Sequence, residues 1–224
     1  MNGKQRPSLN VFGAKKENSI LVPNMPLAVR NNCQSGKWTM GGDKEYGSKL
    51  SMTILKFSKF FGSLGQTQNT IWGQIWFVAE AGDLPKNVAM VTYIKGQSLQ
   101  EFNTLVALIQ ARGIEPAEGI FVPTFAKRTG QKTGKDGVPR AVNYYVLEWD
   151  WTEREENQWE IVEQAAAALL DHADLLVDVD GTRQMICLDN LPQHEVAMII
   201  NSLQGREKTK ANLPRLADPE EEEF

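Results

Sequence analysis

The sequence predicts a mainly β protein with an α+β appendage: a five-stranded Greek-key barrel followed by a small α-β-β-α module. Three observations carry this expectation. Residues 37–151 break into short apolar runs, rich in β-branched and aromatic residues and bounded by turn residues. One stretch in their midst, Ser98–Arg112, switches to helical spacing. Beyond Trp151 the apolar positions return to a helical period and the balance of charge reverses.

Taken in order, residues 1–35 are polar and proline-bearing, with small apolar islands at Val11-Phe12 and Ile20–Val22. They read as an N-terminal arm, partly flexible and not a domain of its own. Residues 36–151 form the barrel domain. Leu50–Ser58, Ile71–Val78 and Val88–Lys95 are its first three strands, and Trp38–Met40 is an optional extra one. Ser98 stands as N-cap of the helix, with Glu101 three residues on and Gly113 as the stop. Gly119–Lys127 and Ala141–Trp151 complete the five strands, joined by the Gly-rich basic loop Arg128–Arg140. In the accessory module, 152–204, Thr152 and Glu155 make a capping box for a helix to about His172. A hairpin turning at Asp180-Gly181 and a helix from Pro192 to Leu203 follow. Residues 205–217 read as a polar linker leading to an acidic tip.

Three strands, a helix and two strands joined by a long loop is the element order of the OB-fold. That barrel binds oligonucleotides on its strand 2–3 face and through its 1–2 and 4–5 loops. Charge agrees with such a role. Residues 1–151 hold 18 Lys+Arg against 11 Asp+Glu, whereas 152–224 hold 6 against 17; the balances of +7 and −11 give the net −4. A basic front and an acidic rear suit a polyanion-binding body with a regulatory tail. Other classes lose ground on composition. Cys33 and Cys187 stand far apart and His172 and His194 are isolated, so neither a zinc site nor a Cys/His nucleophile pair is expected, and no cofactor. No apolar run reaches the roughly 20 residues of a membrane span, and the first residues lack a secretory apolar stretch. Reduced thiols then point to the cytoplasm.

Strand alternation selects the candidate contact residues. In the second strand Ile71, Gly73, Ile75 and Phe77 share one face, and Trp72, Gln74, Trp76 and Val78 the other. Both faces cannot be core in a small barrel of one sheet. The sequence therefore predicts an open face carrying Trp72, Trp76, Tyr93, Phe125 and Tyr145, interleaved with Lys56, Gln74, Lys95 and Lys127. Rings stack on bases at about 1–3 kcal/mol each while lysines follow phosphates. The competing reading of the tryptophans is that they are core, where indoles mostly reside. In the loop, Arg128, Lys132, Lys135 and Arg140 stand against Asp136 alone, with Gly130, Gly134 and Gly137 for freedom, as in a cationic flap. Its competing reading is a solvated hairpin tip.

Asp178-Val-Asp180-Gly-Thr182 matches the D-x-D-G-T nucleophile motif of haloacid-dehalogenase-type phosphatases. That chemistry needs a large doubly wound sheet, and 42 residues follow Thr182, so the expectation is a non-enzyme. The last seven residues, Asp218-Pro219-Glu220-Glu221-Glu222-Glu223-Phe224, crowd five acids around one terminal aromatic. With the element order and basic body, this tip resembles single-stranded-DNA-binding proteins of bacteria and their phages, closer to the phage type because its proline precedes the acids. The resemblance implies coating of single-stranded DNA with little sequence preference in replication, repair and recombination. It also implies that Asp218, Glu220, Glu221, Glu222, Glu223 and Phe224 recruit replication or recombination proteins, in a chain that can self-associate. An RNA-binding OB protein and a protein-binding adaptor remain as alternatives.

Overall fold

A computed structural model describes residues 19–23, 27–42, 44–133, 137–172 and 185–211. In chain order the elements are β1 (Leu27–Asn32), β2 (Lys37–Met40), β3 (Lys44–Glu45), β4 (Leu50–Leu64), β5 (Thr67–Gly82) and β6 (Met90–Lys95). Then come α1 (Gly96–Gln110), β7 (Ile120–Thr133), β8 (Pro139–Thr152), α2 (Glu160–His172), β9 (Met185–Cys187) and α3 (Gln193–Ala211). The protein is mainly β, built on one curled, half-barrel mixed sheet with a few helices.

The strand order is β3-β2-β1-β6-β5-β4-β7-β8, and β9 also pairs with β4. Among these pairings only β1 with β6 is parallel. One edge of β4 runs along β5, while its other edge serves two partners. Met52 near its start lies opposite Phe121 of β7, and Phe60–Gly62 near its end pairs with β9. Register shifts after Ser51, Ile54 and Gly62 mark bulges, which bend and twist a strand and so curl this long hairpin. The curl brings the two ends of the sheet together: Tyr145 N–H of β8 donates to Cys33 O in the β1–β2 turn at 2.7 Å.

The concave side holds the main core, with Val29, Trp38, Met52, Ile75, Phe77, Ile94, Phe121 and Leu147 in it and α1 across its end through Leu99 and Phe102. The face predicted for Ile71, Gly73, Ile75 and Phe77 is thus the core face. Gly73 is required there, since a Cβ would come within 2.8 Å of both Leu99 and Phe57. The opposite face of the sheet is covered as well. Ile20 and Val22 from the N-terminal segment and Ala165 and Ala168 of α2 close over Leu55, Trp76, Val78 and Val91. Met185 of β9 closes over Phe60 and Trp72.

Several boundaries move for identifiable reasons. The arm contributes a strand: β1 lies ahead of residue 36 yet joins the same sheet, and the polar run Arg30-Asn31-Asn32 hides its alternation. Ser98 is not an N-cap; Lys95 takes that position, and the Ser98 hydroxyl is buried, accepting from Leu147 N–H at 2.9 Å. The capping box lies one turn later than predicted, formed by Glu155 and Gln158 in the 3-10 turn Glu156–Gln158, because β8 extends through Thr152. Of the predicted rear hairpin, residues 173–184 lie outside the described residues, and Met185–Cys187 pairs with β4. The last helix runs on to Ala211 where a linker was expected. Glu, Lys and Arg are good helix formers, so polarity alone does not end a helix.

Candidate nucleic-acid interface

Trp72, Gln74 and Trp76 share the face that alternation assigned them, but that face is closed. Their exposures are 6%, 0% and 1%, so the predicted open aromatic surface on β5 is corrected to a second core. The polar atoms there are satisfied internally. Trp72 Nε1 donates to Gly62 O at 3.2 Å, Trp76 Nε1 to Gln74 Oε1 at 3.2 Å, and Gln74 Nε2 to Tyr93 Oη at 3.1 Å. Burial pushes the Tyr93 phenol above its ordinary 10.0, opposed by the Gln74 hydrogen bond. Phe125 is also corrected: it packs into the main core, 5.3 Å from the Trp38 ring. Lys56 is half-buried on β4, near the Cys187 thiol. Lys95 is exposed, with its ammonium 5.0 Å over the Trp72 ring and bonded to Thr67 Oγ1.

Arg128, position 132 and Arg140 lie on a two-stranded ribbon rather than on a flap. β7 and β8 stay paired from Ile120–Thr152 out to Thr133–Pro139. Antiparallel pairing divides the residues between two faces. Lys127 pairs with Tyr145 on one face; Arg128 with Tyr144, Gly130 with Val142, and position 132 with Arg140 on the other. Lys127 and Arg140 are exposed and Arg128 is half-buried. Arg128 Nη2 forms an ion pair with Glu148, and Nη1 donates to Lys127 O at 3.3 Å. The Lys132 side chain, Lys135, and the tip residues Asp218 and Glu220 through Phe224 lie outside what is described.

At the ribbon base, Tyr145 lies against Gly36 of the β1–β2 turn, where φ is +69° and a Cβ would stand 3.0 Å from the ring. Cys33 in the same turn is half-buried. Burial raises its thiol pKa, and the nearby charges of Lys95 and Arg30 pull it down. The curl therefore gathers Arg30, Lys95, Tyr145 and Lys127 around one turn, from four different strands. Arg30 and Tyr144 were missed as candidates. Arg30 sits in the segment read as an arm, and Tyr144 alternates with Tyr145 along β8, on the face opposite the tyrosine that the sequence singles out.

No cluster of three or more His, Cys, Asp or Glu suited to a metal ion occurs among the described residues, and none of their helices is long and apolar enough to cross a membrane. Compared with protein-family models, curated proteins and solved structures, the chain matches none.

Proposed function

We propose that this protein binds single-stranded DNA through the β7–β8 ribbon and the turn at its base, with little sequence preference. The observation that carries the reading is the exposed ribbon itself. Lys127, Arg128 and Arg140 lie on its paired strands and the sequence adds Lys132 and Lys135, five cations against the three acids Asp136, Glu148 and Asp150 of residues 120–152. Cations strung along a strand follow a phosphate backbone without reading bases. The pairing pattern supports an OB-type barrel: β5 lies between β4 and β6, and β4 lies between β5 and β7, which leads to β8. In this reading β1, with β2 and β3 beyond it, is inserted beside β6, and the ribbon is the long 4–5 loop that such barrels use for oligonucleotides. The buried indoles of β5 take no part. The acidic tip is proposed to recruit replication or recombination proteins in the cytoplasm, on the strength of its sequence.

Anisotropy of a labelled oligo-dT strand, titrated at two salt concentrations, tests the interface. Binding should weaken steeply with salt. Replacing Lys127, Arg128 and Arg140 together with alanine should flatten the log–log salt slope by roughly 2, at about 0.7 per contact on a single strand. Absence of binding at low salt would sink the reading. Stronger binding of matched RNA would move it to the RNA class.

A further inference from the structure

The outer face of the ribbon carries one aromatic ring, and its setting is specific. Tyr144 pairs with Arg128, and the Cε1 edge of its ring meets the bare backbone of Gly130, where an added Cβ would lie 3.0 Å from Cε1. That Cβ would lie 3.8 and 3.9 Å from Cδ1 and Cζ, so it would meet the edge of the ring and not its face, and the glycine sets where that edge lies. Tyr144 is 36% exposed, whereas Tyr145, its neighbour, is wedged between Gly36 and Phe125, 6.5 Å from the latter. Arg128 stands across the ribbon from Tyr144, held by Glu148, with both side chains of that ion pair partly in solvent. Such a pair contributes little by itself, so a phosphate can share the guanidinium, which has donors to spare. Arg140 follows on the same face two register steps nearer the tip, past Val142.

Resting on the reading above, we propose that Tyr144 is a base-stacking platform on the outer face of the ribbon, flanked by Arg128 and Arg140 as phosphate contacts. A partly exposed ring, fixed at its edge by main chain, suits an unpaired base, whose π-face is free; a base inside a duplex is already stacked on both sides. The ribbon would then select single strands. The opposing possibilities are that the ring only shields the Gly130 backbone, or that the ribbon enters the major groove of a duplex, which admits a two-stranded ribbon.

Four variants of the full chain separate these: Tyr144→Ala, Tyr144→Leu, Tyr144→Phe and Tyr144→Trp. Each is titrated against oligo-dT, an abasic strand of equal length, and a duplex. Stacking predicts that alanine and leucine weaken oligo-dT binding by about 5- to 150-fold, while phenylalanine and tryptophan bind as the parent does. All four should keep the parent's salt slope and its affinity for the abasic strand. The proposal is overturned if leucine binds oligo-dT as tightly as tyrosine, or if alanine loses equally on the abasic strand. It is also overturned if the duplex is bound as well as the single strand with the same dependence on residue 144. In these cases the parent still binds, and the cationic interface stands without the platform. A parent chain that binds no strand at low salt removes both.

Discussion

Arg154 shows how one side chain ties the rear of the chain to the sheet. Its guanidinium is sealed from solvent and meets Glu80 twice, at 2.5 and 3.1 Å, through both terminal nitrogens. It also donates to Thr53 Oγ1 at 2.5 Å and Gly119 O at 3.3 Å, so β4, β5 and the turn before β7 converge on a residue just past β8. Breaking a buried pair from one side leaves the other charge without its partner. Arg154→Ala should therefore destabilise the protein by about 3 kcal/mol, read as a shift of the urea midpoint. Arg154→Lys should recover little of this, because an ammonium cannot reproduce the bidentate fork. An unchanged midpoint in the alanine variant would show that Glu80 finds adequate solvation alone. Nothing in the sequence marked Arg154, since a lone arginine after a strand looks like surface.

Among the elements, α2 has the role least visible beforehand. Its Ala165 and Ala168 approach the sheet closely because alanine lets a helix sit near the strands, and they bury Leu55, Trp76, Val78 and Val91 beneath them. Full burial of a large apolar side chain contributes about 1.5–3 kcal/mol, and native stability is only about 5–15 kcal/mol. Residues 36–151 are consequently not expected to stand alone. A chain ending at Thr152 should lose cooperative unfolding and bind the dye ANS; a sharp, parent-like melt would show that α2 is dispensable. Alternation had correctly separated the two faces of β5. What failed was the premise that only one could be covered, because a single-sheet barrel was assumed to lack a second layer.

For the whole molecule, charge is divided along the chain: +7 before residue 152 and −11 after it. Acids tethered to a cationic ribbon compete with a phosphate backbone for the same charges, an effect screened by salt. Deleting Asp218–Phe224 removes five carboxylates from the sequence, and oligo-dT affinity should be equal or higher, most visibly at low salt. A deletion that lost DNA binding would contradict the proposed division between ribbon and tail.

The sequence by itself determined the order of strands and helices from Leu50 to Trp151, the two faces of β5, and the basic character of the β7–β8 connection. These are properties of local period, turn residues and charge, which neighbouring residues carry among themselves. The tertiary structure alone decided which face stays open and what lies beside the ribbon. Whether Trp72 and Trp76 meet solvent depends on α2 and β9, more than eighty residues away in the chain. Whether Cys33, with the charges of Arg30 and Lys95 nearby, meets Tyr145 depends on how far the sheet curls. Burial is a matter of which distant surface arrives, and a pattern of period two records only that a face exists.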